Sequence, residues 1–281
     1  MFGSTILDLA FGLVFTFLMI SLVTSATTEA LASAIGWRAN TLLQGIKDLL
    51  NDQEFKGLAL GIYNHALVNP QANGGATSQT DLGAKPSYIG SKQFASAFID
   101  ITKLSAGATV PALQAQIDVA VKDTQLNKML KGIVERAGGN ISRVRDDIAA
   151  WFDGGMERVA GAYKRKTQFW SLIIALLLVV ALNVDTIKIS ETLWKQPILI
   201  KAISPSSSSS GMTALDTLKQ FDKIGLPYGW DGAKLKDLPD NFNWLYALVG
   251  WLITAIATLF GAPFWFDALQ KFVQLRGAGS K

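Results

Sequence analysis

Three uncharged runs decide what this chain can fold into: residues 9–28, 167–184 and 241–266, which are 20, 18 and 26 residues long between flanking charges. An α-helix rises about 1.5 Å per residue, so about 20 apolar residues cross a hydrocarbon core about 30 Å thick. The prediction is an all-α integral membrane protein with three transmembrane helices, at 5–28, 167–187 and 241–262, and a cytoplasmic helical domain at 29–166. Residues 188–240 form an external loop region, and 263–281 an interfacial helix and cytoplasmic tail. The lipid bilayer is thereby the first expected partner.

Composition narrows the chemistry. Cysteine is absent, so disulfides, thiolate nucleophiles and cysteine-based metal sites are excluded. The net charge of +4 would suit nucleic acid only if the basic residues formed a patch, and they do not, so no nucleic-acid partner is expected. The densest basic cluster, Lys164, Arg165 and Lys166, abuts the second apolar run, where membrane anchoring explains it. At the N-terminus Asp8 stands before the apolar run and no Lys or Arg precedes Arg38, which argues for a retained span over a cleaved signal.

Charge also predicts orientation. All seven arginines lie outside 185–240, a segment whose seven lysines balance seven acidic residues, whereas 29–166 holds 16 basic against 13 acidic residues. Lys164 to Lys166, Arg38, Lys271 and Arg276 near the span ends fall on one side if the N-terminus is outside and the C-terminus inside.

Periodicity fills in the helices. The first span is expected to continue as helix to Leu50, and Ser21, Thr24, Ser25 and Thr28 form a small polar stripe suited to helix packing. The alternative reading is that these hydroxyls bond back to their own helix. A helix bearing Phe55, Leu58, Ala59 and Ile62 should end near Pro70, with a loop over 71–86. Ser91 is a candidate cap for a helix whose face is Phe94, Ala97, Phe98 and Ile101. Pro111 opens the next helix, Asp123 with Thr124 caps another, and Asn140 caps a long element leading into the second span. That element is either unbroken to Asn183 or interrupted at Gly154 and Gly155.

In the external loop, Ser206 to Ser210 form a low-complexity tract, Leu215 to Ile224 an amphipathic piece, and Leu226 to Trp230 a turn lying on the membrane or on a partner. After the third span, Phe264, Trp265 and Phe266 open an amphipathic helix fit for the membrane interface.

Catalytic groupings do not emerge. His65 is the sole histidine and reads as a surface or packing residue; Asp231, Asp237 and Asp240 match no calcium loop, and Asp146 and Asp147 point apart on a helix and can pair locally with Arg143 or Arg145. Glycine-rich pieces lack the Lys-Ser of a phosphate loop. The spans carry no central charge, so no ion pathway is marked. No cofactor or metal is expected.

Several blocks carry a resemblance: Pro86-Ser87-Tyr88-Ile89, Trp151-Phe152-Asp153, Met156-Glu157-Arg158-Val159, Leu182-Asn183-Val184-Asp185-Thr186, and Gly261-Ala262-Pro263-Phe264-Trp265-Phe266-Asp267 with Leu275-Arg276-Gly277-Ala278-Gly279. Together they resemble an uncharacterised family of bacterial inner-membrane proteins. That resemblance implies the bacterial inner membrane and brings no activity or site residue. The functional expectation is a membrane-anchored, non-enzymatic scaffold or accessory subunit, docking other membrane or cytoplasmic proteins or its own copies. The alternative is an oligomeric channel or transport component whose pore is lined by the first span's hydroxyls.

Overall fold

The computed structural model describes residues 5–196, 219, 227–230 and 243–278. The predicted serine tract, the 215–224 piece apart from Lys219, and the loop aspartates Asp231, Asp237 and Asp240 lie outside the described residues. Among those described there are ten helices and no strand. In chain order they are α1 Thr5–Ala34, α2 Trp37–Leu49, α3 Leu58–Asn64, α4 Ser91–Thr102, α5 Val110–Ala120, α6 Thr124–Arg136, α7 Ile141–Ala181, α8 Thr186–Lys195, α9 Asn243–Thr258 and α10 Gly261–Ala278. The chain divides into two compact units, Ile35–Arg165 and the remainder.

The Ile35–Arg165 unit closes around its own apolar core. The face predicted for α4 supplies its centre: Phe94 is fully buried, its ring 4.1 Å from that of Phe152 on α7 and 6.0 Å from Phe98. Leu43, Ile46, Leu113, Ile117, Leu130 and Ile148 close the core from the other helices. Asp123 caps α6 by accepting the Leu126 N–H at 2.7 Å, and Asn140 accepts from Ser142 and Arg143 at the start of α7, both as the sequence suggests. Elsewhere the local reading is corrected. Helix does not continue to Leu50, because Gly36 takes φ 66° and separates α1 from α2. Ser91 is the first helical residue and not the cap, and α3 ends at Asn64, well short of Pro70.

Gly154 and Gly155 do not interrupt α7, which runs 41 residues, about 62 Å at about 1.5 Å each. Their neighbourhood shows the use of small residues here. A Cβ on Gly155 would press on Leu49, and one on Gly45 would press on the branched Val159, so α2 and α7 approach through two glycines.

Asp118 and Asp123 set an acid limit for this unit. Lys131 and Asn127 hydrogen-bond Asp118, and the Leu126 N–H with Asn51 holds Asp123, so both carboxyls sit below their ordinary range. Folded values below unfolded ones mean that the unfolded chain binds more protons in between. The stability these groups contribute is therefore present above about pH 4 and lost as pH falls through the depressed values. Denaturant titrations at stepped pH should show this decline, and Asp118→Asn with Asp123→Asn should flatten it.

Tyr63 gives the opposite kind of prediction. It is fully buried, packs edge-on to Phe55, and its hydroxyl has no hydrogen-bond partner among the described residues; burial also pushes its pKa well up. An unsatisfied buried hydroxyl costs about 1–3 kcal/mol, so Tyr63→Phe should raise stability by about 1 kcal/mol, read as a higher denaturation midpoint.

The second unit is built on α1, which α8, α9 and α10 contact. Phe11, Phe15, Leu18 and Met19 are buried together with Val179, Val184, Ile189, Leu193 and Leu269. Among the described residues one helix, Ile6–Ala34, is by itself long and apolar enough to cross a membrane; the count rises to three only if each of two bent pairs is one span. The pairs are α7 with α8, bent by 51°, and α9 with α10, bent by 93°. Axes at 93° cannot both follow the bilayer normal.

The outside of this unit is apolar. Leu245, Val249, Leu252, Ile253, Ile256 and Phe260 on and beside α9, with Phe169 and Leu177 on α7, are all exposed. A soluble surface of this kind would carry polar side chains at most of these positions.

Candidate functional site

Four of the polar residues that the second unit buries, Asn183, Asp185, Thr186 and Thr254, meet where α7 stops and α8 starts, at Asn183-Val184-Asp185-Thr186. Each residue of this tetrapeptide has a separate local reason. Asn183 takes φ 47°, a left-handed conformation that asparagine tolerates, and its N–H donates to the Val180 carbonyl at 3.0 Å. Val184 donates to the Val179 carbonyl at 2.9 Å, and both valine side chains are buried in one cluster. This pair of bonds with its apolar contact is a Schellman ending. Asp185 then caps α8, accepting the Ile187 N–H at 2.9 Å and the Lys188 N–H at 3.4 Å.

Other segments tie into the same junction. The Asn183 side chain donates to the Gly229 carbonyl at 3.1 Å and accepts from the Trp251 indole at 3.2 Å. Gly229 donates to the Leu182 carbonyl at 2.7 Å, and the Trp230 indole to the Val180 carbonyl at 2.9 Å. The 227–230 turn thus seats on the end of α7. Thr254 of α9 pairs with Thr186 at 2.7 Å, and its hydroxyl lies 3.0 Å from the Val184 carbonyl and 2.9 Å from that of Gly250. A single hydroxyl proton serves only one of those carbonyls at a time. Gly250 packs against the Asp185 carboxylate so closely that a Cβ there would overlap it.

Chemically the junction is a clamp. Its one carboxylate is spent on a helix cap, its side chain only 3 % exposed, with Lys188 Nζ 4.0 Å away. Among the described residues no three metal-ligating side chains cluster. From sequence, residues 167–187 are expected as one span with Asn183 near the end of the long helix; the structure ends α7 at Ala181 and starts α8 at Thr186. The available signal was an Asn followed two residues later by an Asp within an apolar stretch, the chemistry of a helix stop and restart.

The residues singled out from sequence fall as follows. Ser21, Thr24 and Thr28 are buried, at 2 %, 2 % and 6 % exposure, while Ser25 is exposed. Their hydroxyls do not bond back to α1 and have no partner among the described residues. Back-bonding occurs instead at Thr16 and Thr27. Lys164, Arg165 and Lys166 are all exposed on α7. Phe264 faces outward, but Trp265 turns inward, its indole 2.7 Å from the Ala257 carbonyl and its ring 4.9 Å from Phe17; Phe266 also packs on the core. Gly261, at φ 82°, makes the turn that brings α10 back onto α1. His65 pairs with Asp100 at 3.4 Å and Asp146 with Arg145 at 3.6 Å, both on the Ile35–Arg165 unit.

That unit also carries a cleft of about 540 Å³ lined by Leu49, Met129, Trp151 and Arg158, with Asp48 and Asp123 at its edge. Both carboxylates are engaged, Asp48 by Gln44 and Gln53, and Asp123 by Asn51 and the α6 cap. The cleft offers shape and apolar surface, not a reactive pair. No family model, no curated protein and no solved structure matches the chain.

Proposed function

We propose that this chain is a multi-pass anchor of the bacterial inner membrane, a non-enzymatic scaffold or accessory subunit whose helical unit docks a protein partner or a second copy. The observation that carries the reading is the contrast between the two exteriors. The unit built on α1 exposes a run of leucine, isoleucine and phenylalanine along α9, suited to lipid, whereas Ile35–Arg165 has its own core and a mostly polar surface. The basic residues Lys164, Arg165 and Lys166 support a topology with 29–166 inside, the N-terminus outside and three crossings. Burial of Ser21, Thr24 and Thr28 within the chain favours a packing role for the stripe over a pore lining.

Topology is tested by single cysteines in this cysteine-free chain. In sealed cells Ser208→Cys should label with an impermeant maleimide, and Ser78→Cys and Ser280→Cys should not. Scaffolding is tested by site-specific crosslinking around the 540 Å³ cleft in native membranes. A defined adduct, lost when the cleft is filled by Met129→Trp, is the expected result. Ion conductance by the purified protein in liposomes, or turnover of a substrate, would displace the scaffold reading.

A further inference from the structure

The loop over residues 71–86 of the Ile35–Arg165 unit is held down by two side-chain amides from the segment before it. Asn64 grips Ala76 from both sides, accepting its N–H at 3.0 Å and donating to its carbonyl at 2.8 Å. Asn69 donates to the Ala84 carbonyl at 2.9 Å, and Ala76 and Leu82 are buried. The chain turns toward this grip at Asn73-Gly74-Gly75, all three exposed. Glycine at 74 is required twice over: its φ is 71°, and a Cβ there would lie 3.1 Å from the Asn64 carbonyl oxygen. Asparagine at 73 makes the turn, its Oδ1 accepting the Gly75 N–H at 3.2 Å. The fold thereby imposes an asparagine followed by a glycine, a pair found once in the chain.

Such a pair is chemically labile. The backbone nitrogen after an asparagine can attack the side-chain carbonyl carbon, and a bulky next residue hinders the attack where glycine does not. The Gly75 N–H polarises the Asn73 carbonyl and draws the side chain back along the backbone toward the Gly74 nitrogen. Neither the Gly74 N–H nor the Asn73 Nδ2 donates a hydrogen bond among the described residues, so nucleophile and leaving group are both unrestrained. Other asparagines differ. The side-chain amides of Asn40, Asn51, Asn64, Asn69, Asn127 and Asn183 all donate hydrogen bonds, and none of these residues precedes glycine. Asp153-Gly154 could close the same ring, but it lies inside α7, where the helix occupies the backbone nitrogen.

We propose that Asn73 is a self-deamidation site, converted through a succinimide to isoaspartate and aspartate, and that the isoaspartate releases the loop from Asn64. The Gly74 nitrogen loses its proton to solvent and bonds to Asn73 Cγ, the Cγ–Nδ2 bond breaks, and ammonia leaves. Water then opens the ring without any change of oxidation state. Attack at the Cγ carbonyl gives aspartate; attack at the main-chain carbonyl gives isoaspartate, whose backbone runs through Cβ and Cγ and is one carbon longer. That carbon enters where Gly74 already stands against the Asn64 carbonyl, so Ala76 cannot keep both bonds to the Asn64 side chain.

The chemistry is independent of the membrane reading and is tested on the intact chain. Full-length protein in detergent is aged at mildly alkaline pH in heavy-oxygen water and mapped by peptide mass spectrometry. Asn73 should turn from amide to acid before any other described asparagine, take up solvent oxygen, and yield more isoaspartate than aspartate. Asn73→Gln should stop the conversion, because its longer side chain closes the larger ring slowly. The isoaspartyl form, separated by ion exchange, should lose hydrogen-exchange protection at the Ala76 amide. Asn73→Asp, which adds the charge without the extra carbon, should keep that protection. An Asn73 that stays amide while Asn140 or Asn243 converts, or that yields aspartate alone, would overturn the site. An isoaspartyl protein with full protection at Ala76 would overturn the release.

Discussion

Phe94→Ala is expected to lower the stability of the Ile35–Arg165 unit by about 3–5 kcal/mol, the range for emptying a fully buried aromatic site. Phe94 has no exposure, and three rings surround it: Phe152 at 4.1 Å, Phe98 at 6.0 Å and Trp151 at 6.3 Å. Because those neighbours stand on α4 itself and on α7, collapse into the cavity would require two helices to shift toward each other. The long α7 cannot move one turn without carrying the rest of that helix. Pulse proteolysis of the detergent-solubilised chain in rising denaturant reads the effect as early cleavage between residues 35 and 165. A midpoint within experimental error of wild type would mean that these rings do not organise the core.

Gly250→Ala should produce the largest single-site loss in the other unit. A methyl group normally favours a helix over glycine by about 1 kcal/mol, so the naive expectation is stabilisation. Here the added carbon overlaps the Asp185 carboxylate, which is held in place by the Ile187 and Lys188 N–H groups. Either α9 retreats, breaking the Thr254 contacts with Thr186 and Val184, or the carboxylate swings away and α8 loses its cap. Overpacking costs about 1–3 kcal/mol and a lost cap about 1 kcal/mol, so a net loss of about 2–3 kcal/mol is expected. Thermal unfolding in detergent measures it. Asp185→Ala should cost less, since it loses the cap without the clash, and the double variant should be less damaged than Gly250→Ala combined additively with it.

Local chemistry was legible where one residue type has one job. Asp123 and Asn140 are caps because their oxygens satisfy free N–H groups, and the apolar period of 94, 97, 98 and 101 marked the face that the core uses. The reading failed where tertiary proximity decides. Composition alone left open whether Gly154 and Gly155 break α7, because Gly155 is the contact point at which Leu49 seats, a fact that depends on α2. Gly36 was passed over within an alanine-rich run because a lone glycine does not announce a left-handed turn. The clamp at Asn183 and Asp185 was not legible from hydropathy, since a polar pair at the edge of an apolar run marks its end without showing which segments it holds. Trp265 read as an interfacial residue, and only the turn at Gly261 shows it folded against Phe17.

The central claim is that lipid, not water, surrounds α1 and the apolar outer face of α9. Alkaline carbonate extraction of membranes from cells expressing the full chain tests it most directly, because high pH strips proteins held by charge or by partners and leaves those embedded in hydrocarbon. The chain should remain wholly in the membrane pellet and move to the supernatant only with detergent. Release into the carbonate supernatant as a folded, soluble protein would contradict the claim.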